Sequence, residues 1–311
     1  MRGGVKGQAN YLMQYVFKER VSKHYAKAQA RASGYKDWHS IGKNLDIYSY
    51  ATKNRYFDVW VNLGKYMKSQ GIKSFDQLTP ELIKDYLNSK LSEGVSKQTM
   101  QTTMSALEKL EIALNRHAEA TNSHQRYSFQ DALKEIRREV RQIKAEVKPR
   151  AYQNPQRIIE NLKNPDHRTV AELQYHSGAR IHEAVVIKPD QLKGYRKDVD
   201  GQTKGVVQIK GKGGKVRDLL VPVDTYNHVK KTIEQKGIWK VDQTSYRKAL
   251  KEACLEVGEK PLGSHGLRWN YASERLNVYV EKYGSLERAL AETSRDMGHD
   301  RADITLRYLK R

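Results

Sequence analysis

"GHDRADITLRYLKR", Gly298 to Arg311, closes the chain with His299 nine residues ahead of a tyrosine, Tyr308, that stands three residues from the last position. Chain ends fray and seldom carry chemistry. A Gly-His pair leading at a fixed helical distance to a terminal tyrosine therefore calls for partners elsewhere in the sequence.

Working back from the tail, basic residues recur beside a glycine or a helix start. They are Arg180 in "SGARIHEA" (177–184), Lys212 in "KGKGGK" (210–215), and His265 and Arg268 in "SHGLRWNYAS" (264–273). Taken singly, an arginine on a helix is a surface charge, a histidine packs or caps, and one of 19 tyrosines belongs to a core or its rim. Phosphoryl transfer is the chemistry that would join them. Its transition state spreads charge over equatorial oxygens, so catalysis there is mostly positioning and charge stabilisation. Two guanidinium groups bind phosphate bidentately and stay ionised. A lysine on a hairpin tip can protonate a departing oxygen when neighbouring cations lower its pKa. Histidines donate to phosphate or relay protons near neutrality, and a phenol is a nucleophile that can leave again.

Other motifs fail. "KGKGGK" is followed by a strand, not by the Ser or Thr and helix of a Walker A loop. "HEAVV" at His182 lacks the second histidine of H-E-x-x-H, no His cluster has metal-ligand spacing, and G-x-S-x-G is absent. No cofactor or metal is called for.

Composition narrows the partner. With 57 Lys and Arg against 36 Asp and Glu, the 311-residue chain carries a net charge of +21, which points to a polyanion, nucleic acid before membrane. No apolar run approaches the ~18 residues of a membrane span, and no signal peptide follows Met1. The single cysteine, Cys254, leaves no intramolecular disulfide and fits a reducing, cytoplasmic setting.

The length suits two domains. Residues 1–50 read as a basic helical extension broken at Ser33-Gly34 and near Gly42. Through residue 60, 11 Lys or Arg face four acids, with seven tyrosines interleaved. That mixture suits either a phosphate-gripping arm or a solvated helix with its tyrosines on a buried stripe. Residues 51–148 read as amphipathic helices around one core. Their stripes run through Phe57, Trp60, Val61, Leu63 and Tyr66, then through Met100, Met104, Leu107, Leu110 and Leu114, with Thr79 as N-cap before Pro80. "PRAYQNP" marks the boundary to residues 149–311. There "RTVAELQYHSGARIHEAVVIKPDQL" reads as helix, glycine turn, helix and proline stop. "GVVQIKGKGGKVRDLLVPV" reads as a β-hairpin alternating Val206 and Gln208 with Val216, Leu219 and Val221, and helices resume from Asp224.

Residues 165–311 resemble the catalytic domain of the tyrosine recombinase, or phage integrase, family. "SGARIHEA" is similar to that family's first box, with Arg180 as a phosphate clamp and Glu183 as the supporting carboxylate. "GKGGKVRDLLVP" is similar to its hairpin-lysine segment and points to Lys212, with Lys210 and Lys215 as close rivals. His265 and Arg268 meet its H-x-x-R box, and Gly298, His299 and Tyr308 meet its Gly-His turn and nucleophile. The resemblance implies an α+β fold that is mainly α with a small β-hairpin or sheet in the catalytic domain. An all-α, SAM-like core-binding domain would precede it, and the two would clamp duplex DNA.

The activity implied is site-specific recombination through a 3′-phosphotyrosyl intermediate, with integration or excision of a mobile element as the leading role. Partners would be double-stranded recombination sites, a homotetramer on two of them, and directionality or host accessory factors. The setting would be cytoplasmic and nucleoid-associated. Alternatives are Xer-like dimer resolution, a non-cutting accessory protein, and type IB topoisomerase-like cleavage. Three departures stand out: Trp269 where many relatives carry histidine, a long connection "KGYRKDVDGQTKG" (193–205), and only three residues after Tyr308, too few for a tail that docks on a neighbour. Asp300 or Asp303 is the expected cap of the tyrosine helix.

Overall fold

The computed structural model describes residues 1–144, 147–211, 214–299 and 301–309, with Trp38 and His39 as backbone alone. Lys212 therefore lies outside the described residues, as does Asp300. The chain divides into two compact units, Met1–Glu146 and Val147–Arg311.

The first unit is all-α: α1 (Val5–Met13), α2 (Lys23–Ala32), α3 (Trp38–Asn44), α4 (Tyr50–Ser69), α5 (Pro80–Ser92), α6 (Lys97–Ala120) and α7 (Gln130–Gln142). The apolar stripe of α6 lies wholly in the core, and Trp60 of α4 crosses to it with Nε1 donating to Ala106 O at 2.8 Å. Thr79 caps α5 by accepting from Leu82 N, with Pro80 at the first helical position, where no backbone N–H is needed. Lys109 of α6 is buried and donates to the carbonyls of Gly42, Lys43 and Leu45, so it closes the C-terminal end of α3.

Residues 1–50 are not a separate extension. Ala9, Leu12 and Met13 of α1 are buried in the same core as Trp60, and Gln8 donates to Gly3 O and Lys73 O while accepting from Phe75 N. The break at Gly34 separates α2 from α3 but does not end a domain, because the apolar face of α1 needs α4 and α6 to cover it, and the break expected near Gly42 is absent, since Gly42 lies inside α3. By contrast α2 buries nothing, and its Tyr25 is exposed.

The second unit is mainly α with two small sheets. Its elements are α8 (Pro155–Glu160), α9 (Pro165–Ser177), α10 (Ile181–Ala184), β1 (Val186–Ile187), β2 (Leu192–Lys197), β3 (Thr203–Lys210), β4 (Val216–Val221), α11 (Val223–Lys236), β5 (Trp239–Lys240), α12 (Gln243–Glu256), α13 (His265–Tyr283), α14 (Leu286–Asp296) and α15 (Ala302–Leu306). The strands order β2-β3-β4, all antiparallel, and β1 pairs separately with β5. On β3 the residues Val207 and Ile209 enter the core with Leu219 and Val221 of β4, and Val206 is covered too, whereas Val216 is exposed. The alternation read from the sequence therefore sits in the wrong phase: Val207 and Ile209, not Val206 and Gln208, join the core of the unit. The second helix after Gly178 is a single turn. It stops where the β-branched run Val185–Ile187 leaves to pair with β5, and Trp239 of β5 donates to Ala184 O at 2.9 Å. The long connection 193–205 is mostly β2, its turn and the start of β3, paired Tyr195 to Gly205 and Lys197 to Thr203.

Candidate active site

Six of the seven residues singled out above lie within the described part of the second unit, and the structure links them in one web. The web starts at Gly178, which ends α9 at φ +63°. A Cβ there would lie 2.5 Å from the ring of Tyr271, so glycine is required both by backbone conformation and by space. Its carbonyl accepts from Arg268 Nη1. Two residues on, Arg180 opens α10. Its backbone N–H donates to Glu183 Oε2 at 2.7 Å, and its Nη1 to Glu183 Oε1 at 3.0 Å. Glu183 is buried, which opposes ionisation, but Arg217 and Arg180 outweigh that and hold its carboxyl below the usual range.

Arg217, on β4, is the residue sequence reasoning missed. Its Nη2 donates to Glu183 Oε2 at 2.7 Å and its Nη1 to the carbonyl of Asp296, joining the hairpin, α10 and the end of α14. A signal was present: it lies inside "GKGGKVRDLLVP", two residues past Lys215, yet one more arginine in a chain with 57 Lys and Arg attracts no notice. Gly211, at the end of β3, comes to the same place, since a Cβ on it would lie 3.4 Å from Glu183 Oε1. Lys210 and Lys215 flank the hairpin tip and are exposed.

Arg268 is 0 % exposed. Its Nη2 donates to Met297 O at 2.6 Å and contacts His299 Nε2 at 3.1 Å, while its Nε has no partner. Burial, then Arg180, pushes its pKa down to about 10, so it stays a cation near neutrality. Because a guanidinium only donates, His299 Nε2 must accept, and His299 carries its proton on Nδ1, which donates to Thr305 Oγ1 at 2.8 Å. Thr305, fully buried on α15, accepts from Ser294 Oγ at 2.7 Å. Burial and then Arg268 lower both histidines, His265 to about 4 and His299 to about 3, so both are neutral at pH 7.

Tyr308 follows α15 in a 3₁₀ turn, Arg307–Leu309. Its hydroxyl is 3.0 Å from His265 Nε2, and its ring packs against His265, Trp269 and His299 at centroid distances of 5.4, 5.3 and 5.3 Å. The Arg268 guanidinium lies 5.7 Å from the same ring. Trp269 thus acts as a wall for the tyrosine. Asp303 is not the cap of the tyrosine helix: Arg301 occupies the N-cap position without a side-chain cap bond, and Asp303 sits inside the first turn, paired with Arg301, while Asp300, the other expected cap, lies outside the described residues.

No protein-family model and no curated protein matches the chain by sequence. Solved structures do match it by fold. The pre-cleavage complex of the XerH site-specific recombinase with its difH substrate aligns over 100 % of this chain and 95 % of that one, at 15 % identity and a TM-score of 0.61. The post-cleavage complex of XerH with palindromic difH aligns over 99 % and 93 %, at 15 % identity and a TM-score of 0.58. Among the described residues no helix is long and apolar enough to cross a membrane. The mainly α architecture with its small antiparallel sheets is the fold of these site-specific recombinase structures.

Proposed function

We propose that this chain is a tyrosine site-specific recombinase that cuts and rejoins duplex DNA through a covalent 3′-phosphotyrosyl link. The observation that carries the reading is the approach of Tyr308 Oη to a neutral His265 Nε2 at 3.0 Å, in a pocket with the buried cation Arg268. Tyr308 attacks the scissile phosphorus, and its phenolic proton passes to His265. The bond to the 5′ oxygen breaks, and that oxygen takes a proton from the hairpin-tip lysine, for which Lys212 is the candidate. Arg180 and Arg268 hold the non-bridging oxygens as charge builds on them. Arg268 Nε is a buried donor without a partner among the described residues, and so is available to a phosphate oxygen. Because Arg268 is fully covered, the tyrosine ring has to shift as a phosphate docks. Glu183 keeps Arg180 in place, and His299 reaches the phosphate side from its Thr305 anchor. The 5′ hydroxyl then attacks a partner strand's phosphotyrosine, so bond energy is kept and neither nucleotide nor metal is consumed.

The first unit is the core-binding module in this reading, and its basic surface faces phosphates. Four protomers would act on two sites, on the nucleoid, in integrating or excising a mobile element. Xer-type resolution is the second reading, favoured by the difH complexes of the structural neighbours.

The test begins with a duplex selected from a random library by the Tyr308→Phe protein. That duplex is nicked near the bound site and incubated with the unsubstituted chain, and covalent complexes are read on a denaturing gel. The expected result is a protein–DNA adduct that vanishes in Tyr308→Phe. Absence of any adduct, or its persistence in Tyr308→Phe, overturns the reading. Recombinant product from two sites, against plain relaxation of supercoils, separates strand exchange from topoisomerase-like cleavage.

A further inference from the structure

Behind the site lies a buried ion cluster with no part in the chemistry above. Arg275, on α13 two turns beyond Arg268, is 9 % exposed, and all three of its guanidinium nitrogens are engaged. Nη1 and Nη2 donate to the two carboxylate oxygens of Asp198 at 2.6 and 2.7 Å, and Nε donates to Asp296 Oδ2 at 2.8 Å. Nη2 also reaches Tyr279 Oη at 3.0 Å. The same Asp296 oxygen accepts from the hydroxyls of Tyr279 at 2.8 Å and Tyr271 at 3.1 Å. Asp198 opens the turn between β2 and β3, and Asp296 is the last residue of α14.

Asp296 leads directly into the catalytic turn. Its own carbonyl is held by Arg217, and the next carbonyl, of Met297, by Arg268. Then come Gly298, at φ +65° and so placed that a Cβ would lie 3.1 Å from Arg217 Nε, and His299. A buried ion pair gains little over apolar packing of the same shape, since desolvation consumes most of the attraction; what it adds is a fixed geometry. A planar fork shared between two carboxylates on separate elements sets both distance and angle, which an aliphatic contact would leave loose. Burial opposes ionisation of Asp198, yet its bonds from Arg275 outweigh that and hold the carboxyl below its ordinary range.

We propose that Asp198, Arg275 and Asp296 form a positioning device that ties the β2–β3 turn to the end of α14 and so sets the Met297–His299 turn against Arg268. All three are positioning residues, acting through His299 and Arg268. The inference rests on the proposed role of those two residues in handling phosphate. It also gives the long connection 193–205 a purpose, since its turn carries one jaw of the clamp.

The experiment uses the full chain with Asp198→Asn and, separately, Arg275→Lys. Circular dichroism first establishes that each variant is folded. Amide hydrogen exchange without DNA then reads Gly298 and His299, whose N–H groups are bonded to Arg295 O and Ser294 O, against α6 as internal reference. Exchange at these two amides is expected to rise at least tenfold in Asp198→Asn with α6 unchanged. On the selected nicked duplex, affinity is expected to stay within twofold while the single-turnover adduct rate falls tenfold or more. A folded Asp198→Asn protein with unaltered exchange at Gly298 and His299 overturns the proposal, as does an unaltered adduct rate. Should the unsubstituted chain give no adduct, the functional reading fails, and the exchange measurement still decides the clamp by itself. Should Arg275→Lys not fold, Asp198→Asn, which changes a turn residue and no helix, carries the test.

Discussion

Replacing Thr305 by valine removes one hydroxyl from a site where shape hardly changes. The threonine is fully buried and its hydroxyl stands 2.8 Å from His299 Nδ1 and 2.7 Å from Ser294 Oγ. Ser294 keeps a second acceptor in Leu290 O at 2.7 Å, so it loses little. His299 loses its acceptor for Nδ1–H. Moving the proton to Nε2 does not help, because Arg268 Nη2 already points an N–H there from 3.1 Å. Either tautomer leaves a donor unsatisfied, which costs about 1–3 kcal/mol. At ~1.4 kcal/mol per tenfold, this predicts an adduct rate down by roughly 10- to 100-fold where the imidazole acts in the transition state. Thr305→Ser keeps both bonds, gives up one methyl and costs about 1 kcal/mol of stability with little change in rate. Single-turnover adduct formation and the ¹⁵N shifts of the His299 ring are the measurements. A Thr305→Val protein with the rate of Thr305→Ser would refute the reasoning.

Other outcomes come from particular contacts. Gly178→Ala puts a methyl at φ +63° and 2.5 Å from a ring carbon of Tyr271; left-handed backbone costs ~1–2 kcal/mol and overpacking ~1–3. Denaturant titration of the second unit should show a loss of roughly 2–5 kcal/mol at constant m-value. Leu12→Ala should destabilise the first unit by about 2–5 kcal/mol, as a core position does and an appended arm would not. Acid sensitivity has a defined sign. His265 and His299 have folded values of about 4 and about 3 against an ordinary 6.5, so the unfolded chain takes up protons first. Their contribution is therefore complete above pH 6.5 and declines through the window from 6.5 to the folded values; His299→Gln should flatten that slope in thermal melts recorded across the range.

Much of this candidate site was legible because its residues sit in short local signatures. A glycine before an arginine, a histidine three residues before another arginine, and a Gly-His pair before a tyrosine are each written in ten or so consecutive positions. Arg217 was not legible, since its meaning comes from Glu183 and Asp296, 34 and 79 residues away. Thr305 and Arg275 are hidden for the same reason. On the fold, the helical stripes of α4 and α6 appear at their helical spacing, whereas α1 looks like an arm until its partners are found. The two-residue strands β1 and β5 have no periodicity at all, and pairing alone makes them strands.

Sequence by itself determined the start of α5, the turn of the hairpin, and which side chains are candidates for phosphate. Those are local matters, governed by caps, apolar spacing and side-chain inventory within a few residues. Tertiary structure alone decided that Tyr308 meets His265, that His299 carries its proton on Nδ1, and that Glu183 is shared between two arginines. Each of these depends on groups remote in the chain being brought within hydrogen-bond reach, where burial then shifts the histidines and makes every unmatched donor costly.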